Sequence, residues 1–212
     1  MKTDDLIRSL AQDNISDTQT PRRAAALSFP FCLAVLAVLF VAFLGPRPGF
    51  GAGDVLLITA MKLAVTITLA IAGIAAVLKA AAPDVNPGAG WCAAAPASAV
   101  LAAMLIYDFS THGAGGWQAR LAGLHGLRCL TIVSLLSLVP LATALYVLQR
   151  GAVTRPTLAG AVAGLAATGI GASFYALNCT DDSPLFMLAW YGPATLVVIA
   201  LGILGANRLL HW

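Results

Sequence analysis

The sequence contains no glutamate; all nine of its acidic residues are aspartate. Charge of either sign is scarce. Asp, Lys and Arg together make up 10% of the chain, where an ordinary soluble domain carries roughly 25%. A soluble fold of 212 residues cannot cover its surface with so few charges. Catalytic patterns are missing too: there is no CxxC, no HExxH and no nucleotide-binding glycine loop. Nor is there a plausible Ser/His/Asp set, so the chain reads as a non-enzyme that requires no cofactor. The first 24 residues lack a signal-peptide pattern, because Asp4 and Asp5 precede any apolar run. The first apolar segment is therefore expected to act as an uncleaved anchor.

Apolar residues, by contrast, make up 59% of the sequence. They gather into six segments, at about 25–44, 55–78, 91–107, 129–148, 157–177 and 184–206. Each is of a length that can cross a ~30 Å hydrocarbon layer as a helix. Glycine and proline separate them, at Gly45-Pro46, Pro83, Pro87-Gly88, Gly113 to Gly116, Gly151 with Pro156, and Asn178 to Pro184. The expected fold is all-α: a polytopic bundle of six transmembrane helices over residues 25–212, preceded by a cytoplasmic tail, residues 1–24. Basic residues orient it. With six spans and the N-terminus inside, Lys2, Arg8, Arg22, Arg23, Lys79, Arg150, Arg155 and Arg208 face the cytoplasm. Arg47, Arg120 and Arg128 face outward. This bias satisfies the positive-inside rule. The net charge of +3 follows from these flanks and does not point to direct nucleic-acid binding; the surrounding partner is membrane lipid.

Small residues concentrate in the last two spans, with Gly160 and Gly164 forming a GxxxG pair and Gly169 and Gly171 following. Such positions let helix backbones approach closely. Pro96, Pro140 and Pro193 fall within spans, where neighbours can satisfy the freed carbonyls. No carboxylate lies within a span, which argues against proton- or cation-coupled transport. Lys62 is the ionisable residue set well inside one. It stands about seven residues from the outer end, roughly 10 Å at helical rise. Snorkelling to the surface and structural pairing are its ordinary fates; an intramembrane charge is also a functional candidate by default.

The cysteines sort by depth. Cys32 lies inside the first span and Cys92 at the cytoplasmic end of the third. Cys129 opens the fourth span on the outer side, and Cys179 sits in the short outer loop between the fifth and sixth. Cys129 and Cys179 thus share one face although 50 positions separate them. If that face is a periplasm, thiol oxidation persists there, and thiolates would also suit copper(I), zinc or another thiophilic ion. The alternative is two unrelated buried cysteines. His125, four residues before Cys129, is a further candidate ligand, and Asp181 and Asp182 follow Cys179 closely. In the outer loop from Asp108 to Arg128, Trp117, Leu121 and Leu124 suggest a short amphipathic helix in the interface. In the tail, Thr3 is a good N-cap, Asp4 and Asp5 suit the first turn, and Leu6, Ile7 and Leu10 form an apolar stripe. That stripe could fold into a partner's groove or remain a frayed end.

Several stretches resemble the membrane anti-sigma factors of the NrsF type, negative regulators of sigma-F. They are Met1 to Ile7 (MKTDDLI), Arg128 to Pro140 (RCLTIVSLLSLVP), Arg150 to Pro156 (RGAVTRP), Tyr175 to Phe186 (YALNCTDDSPLF) and Trp190-Tyr191-Gly192. The resemblance spans nearly the whole chain and departs before Cys129, where His125-Gly126-Leu127-Arg128 lacks an expected Trp beside the Arg. It implies a protein of the bacterial inner membrane that sequesters an extracytoplasmic-function sigma factor. It also implies that two outer cysteines, here Cys129 and Cys179, sense metal or oxidant stress. The tail residues Asp4, Leu6, Ile7 and Leu10 then become the expected sigma-binding segment. The competing readings are a membrane thiol-redox protein, which would want a CxxC, and a small metal transporter, which would want ligands through the bilayer.

Overall fold

The computed structural model describes residues 20–49, 53–82, 88–113 and 115–210. The tail stripe and its Asp4, Leu6, Ile7 and Leu10 lie outside the described residues. Within them the chain is helical, with no strand. The elements are α1 (Pro21–Phe43), α2 (Gly53–Ala80), α3 (Gly88–His112), α4 (Trp117–Ala122), α5 (Gly126–Leu136), α6 (Leu138–Gln149), α7 (Pro156–Ala176) and α8 (Pro184–Phe186). A π-helical turn, Met187–Tyr191, then leads into α9 (Gly192–Leu209).

Among the described residues five helical stretches are long and apolar enough to cross a membrane: Pro21–Phe43, Val55–Ala80, Trp117–Gln149, Pro156–Ala176 and Pro184–Leu209. In α3 the qualifying apolar part is shorter, Ala95–Thr111. The surface fits a hydrocarbon solvent. Leu27, Phe31, Val38, Val41, Ile71, Leu196 and Leu204 all stand exposed. Alanine is the commonest residue of the interior, beside Val, Leu and a few aromatic rings, and small residues line the closest helix contacts.

α7 is the axis of the bundle, packing most extensively against α2 and α9. Its glycines explain how. A Cβ on Gly160 would stand 2.5 Å from Gly202 O, and one on Gly164 2.5 Å from Ile199 Cα. On the other side a Cβ on Gly169 would stand 2.4 Å from Ala70 N, and one on Gly73 of α2 2.5 Å from Ala166 Cα. These are backbone-to-backbone contacts that no side chain could enter. The GxxxG expectation therefore holds, with α9 as its partner.

Prolines shape two spans. Pro140 has no N–H to give Leu136 O and its ring crowds that carbonyl. The fourth span accordingly breaks at buried Ser137, between α5 and α6. Pro193, near the start of α9, likewise cannot bond back to Ala189, and the turn before it widens to π-helical geometry. At the end of α1, Gly45 at φ +68° donates to Phe40 O (2.8 Å), and Pro46 stops the helix.

Candidate functional site

One end of the bundle gathers the α1–α2 loop, the first turn of α5, the α7–α8 loop and the π turn. Cys129 lies in the first turn of α5 and is fully buried. Cys179 follows α7, its N–H bonded to Tyr175 O (2.9 Å), and is 3% exposed. Both are free thiols and they lie near each other. Two tyrosines wall them. Tyr175 of α7 lies beside the Cys129 thiol. The Tyr191 hydroxyl, carried by the π turn, is buried against Cys179 without a well-formed hydrogen bond. The two phenol rings stand 6.1 Å apart. A cavity of about 220 Å³ reaches Cys179 between His125, Arg128, Tyr175, Asn178 and Asp181. Cys179 is thus the thiol a small reagent meets first.

Lys62 proves to be part of this site. Snorkelling is not its fate: it is 1% exposed. Its ammonium donates to Cys179 O (3.2 Å), Asp181 O (2.6 Å) and Asp182 Oδ1 (2.7 Å). All three of its donors are used, and all on the α7–α8 loop. Asp182 is also held by Arg47, which grips both carboxylate oxygens at 2.7 and 2.9 Å. Arg47 N bonds Leu177 O, and Asn178 Nδ2 bonds Leu44 O and Gly45 O. The loop carrying Cys179 is therefore clamped from two sides. Burial pushes the Asp182 carboxyl up, but the hydrogen bonds from Arg47 and Lys62 outweigh it and hold the group below its usual range. The Arg47 guanidinium is raised in turn, chiefly by its hydrogen bond to Asp182. For Cys179, burial dominates and pushes the thiol up, against the opposing pull of Lys62.

Asp181 faces the other way. Its Oδ1 accepts from Leu124 N (3.1 Å), and its Oδ2 stands 3.5 Å from His125 Nδ1, too far for a formed hydrogen bond. Among the described residues no group of three or more His, Cys and Asp converges to hold a metal ion. His125 is directed at Asp181. The short helix α4 docks onto the same region: Trp190 Nε1 donates to Leu121 O and Ala122 O, both at 3.1 Å. Gly123, at φ +58°, ends α4 and lies flat on the buried Phe186 ring. Leu124 consequently falls beyond the helix rather than on its stripe, and stands exposed. Arg120 pairs with Asp108 at 2.6 Å and anchors α4 to α3.

The remaining cysteines lie apart. Cys32 is buried in α1, eleven residues before the last residue of that helix, or about 17 Å below the clamped loop at helical rise. Cys92 lies within α3, its side chain outside the described residues. Reading the sequence missed Arg47, Tyr175, Tyr191 and Trp190 as members of the site. One signal pointed to the clamp: a lysine within a span calls for a carboxylate, and Asp181-Asp182 lay on the matching side.

Residues 10–212 match the family described as negative regulator of sigma F. Over its whole length the chain is 35% identical to the whole of a Caulobacter vibrioides protein named anti-sigma-F factor NrsF. It is 30% identical, again over both full lengths, to an Azospira oryzae protein named probable anti-sigma-F factor NrsF. No solved structure matches the chain.

Proposed function

The chain belongs to the negative-regulator-of-sigma-F family, and from that premise we propose that it is a membrane anti-sigma factor. It crosses the bacterial inner membrane six times, α3 included, with its N-terminus in the cytoplasm. The bias of Lys and Arg toward one side supports this orientation. Its partner is an extracytoplasmic-function sigma factor, held by the tail residues Asp4, Leu6, Ile7 and Leu10 and by the basic loop Arg150 to Arg155. It acts by binding and not by catalysis.

Release is triggered at Cys129 and Cys179. The observation that carries this reading is the burial of two free thiols together at one end of the bundle, beside a small polar cavity. Two thiols offer two chemistries. A thiophilic cation, copper(I) among them, displaces both protons and is held by two thiolates. Alternatively a peroxide takes two electrons and two protons from the pair, leaving one S–S bond and two water-level oxygens. His125, which lines the same cavity as Cys179, is available as a further ligand. Either event ties α5 to the α7–α8 loop, and it must favour the sigma-free arrangement by differential binding.

Co-purification of the full chain with the sigma factor tests the partner. Substituting Leu6, Ile7 and Leu10 with Ser should abolish co-purification while the protein stays in the membrane. Retained co-purification would move the binding site to the later cytoplasmic loops; no co-purification by the unaltered chain would end the anti-sigma reading.

A further inference from the structure

α2 touches both ends of the molecule. At the thiol end, Lys62 holds the carbonyls of Cys179 and Asp181 and the carboxylate of Asp182. At the other end Ala81, one residue beyond α2, accepts a hydrogen bond from Ala152 N at 3.0 Å. There a Cβ on Gly151 would stand 2.4 Å from Ala81 O, so the two backbones are in direct contact. Lys62 and Ala81 are nineteen positions apart in sequence, about 28 Å at helical rise. One helix thus touches the Cys179 loop through Lys62, nine residues after its first residue, and the Arg150 to Arg155 loop just past its other end.

α7 also joins those two loops, covalently, but it is gripped on every side. Its backbone is in glycine contact with α2 at Gly169, with α9 at Gly160 and Gly164, and with Ser137 at Gly171. A helix packed that way is the fixed part of a bundle, because close-packed contacts do not deform continuously. α2 meets it through the close backbone contacts of Gly73 and Ala70 and a hydrogen bond from Ser173 Oγ to Thr66 Oγ1 at 3.0 Å, whereas Met61, Ile67 and Ile71 on its other side are exposed. Movement of the Cys179 carbonyl has a bonded partner in Lys62, whose three hydrogen bonds all go to that loop.

We propose that Lys62 is a positioning residue of the thiol pair that couples the Cys179 loop through α2 to the loop at Ala152. Drawing Cys179 toward Cys129 pulls on the lysine, shifts α2 along α7, and loosens or tightens the Ala81–Ala152 contact. The proposal rests on the reading of Cys129 and Cys179 as a sensor pair. It does not depend on which protein the lower loop binds.

The test uses the full chain in lipid nanodiscs, with Cys32 and Cys92 replaced by Ala so that only the pair can react. Two quantities are read: the alkylation rate of Cys179 by iodoacetamide, and the hydrogen-exchange rate of the Ala152 amide. Lys62→Met, which keeps the length and removes the donors, should raise both at least tenfold, the second at a distance of about 28 Å. Lys62→Arg should return both toward the starting values. Because coupling is reciprocal, Ala152→Pro, which deletes the lower N–H while leaving Lys62 intact, should speed Cys179 alkylation. If Lys62→Met leaves Ala152 exchange unchanged, or Ala152→Pro leaves alkylation unchanged, the coupling is overturned. Should Lys62→Met fail to fold, the Ala152→Pro arm decides alone. Neither readout contains a sigma factor, so failure of the anti-sigma reading would leave these results standing, and the reverse.

Discussion

Asp181 and Asp182 are adjacent, identical in type and both within three positions of Cys179, yet their replacement by Asn should have unequal consequences. Asp182 is the counter-charge of Lys62 and Arg47, whose side chains are 1% and 7% exposed. Removing one partner of a buried ion pair costs about 3–5 kcal/mol. Two features reduce this: the Asp182 side chain is 31% exposed, and Lys62 keeps its two carbonyl bonds. An expected loss of about 2–3 kcal/mol remains. At ~2–4 °C per kcal/mol for a chain of this size, Tm should fall by about 4–12 °C. Asp181→Asn preserves the acceptor for Leu124 N and gives up only a 3.5 Å approach to a half-exposed His125. Its cost should stay below about 1 kcal/mol. Thermal unfolding of the two variants in the same detergent measures the contrast. The pH dependence supplies a second check. The native Asp182 carboxyl lies below its ordinary 3.8, so its contribution is present above that pH and is lost as pH falls through the native value. The wild-type and Asp182→Asn curves should therefore begin to approach each other only as pH falls below about 4. Equal shifts for the two variants, or a Tm for Asp182→Asn within about 2 °C of wild type, would refute the clamp.

Other outcomes follow from the same contacts. Gly160→Ile places a side chain where Gly202 O already stands; it should force α7 from α9 and cost at least ~1–3 kcal/mol in the same unfolding assay. Gly192→Ala, with nothing within 4 Å of the new Cβ, should be neutral or stabilising by up to about 1 kcal/mol. Burial holds the Cys179 thiol above its ordinary 9.0, and the thiolate is the nucleophile. Its alkylation should stay slow at pH 8 and rise only above pH 9. The same shift means that stability is unaffected below the unfolded value and is lost as pH climbs toward the native one.

The helices themselves were legible because a bilayer imposes a simple rule: long apolar runs bounded by Gly and Pro. Each expected segment falls on helix, the fourth on α5 and α6 together, with ends shifted by a few residues, and five of the stretches are long and apolar enough to cross a membrane. The largest shift is in α3, where Asp108 to His112 extend the helix because Arg120 neutralises Asp108 there. Proline told where spans could be disturbed but not how. Pro140 breaks one span at Ser137, whereas Pro193 widens another into the π turn that delivers Tyr191 to Cys179. Membrane depth brought Cys129 and Cys179 to one face. The partner of Lys62 was not legible, since 120 positions separate it from Asp182 and depth alone does not distinguish Asp182 from Asp181. The difference arises from the turn after α7, which aims one carboxylate inward and the other toward α4. Tyr175 and Trp190 were quoted only as parts of a resemblance. Trp190 packs on Gly126 and bonds Leu121 O, and nothing in local pattern announces a contact across more than sixty positions.

The central claim is that Cys129 and Cys179 act together to control a sigma factor across the membrane. Sigma-dependent transcription, measured in Cys129→Ser and Cys179→Ser strains with and without a thiophilic metal or an oxidant, tests it most directly. A Cys32→Ala/Cys92→Ala strain serves as the control that should respond as wild type. The account predicts that each Ser variant alone loses the response, leaving transcription fixed at one level whatever the stress. A wild-type response in both Ser variants would contradict it and remove the thiol pair from the mechanism.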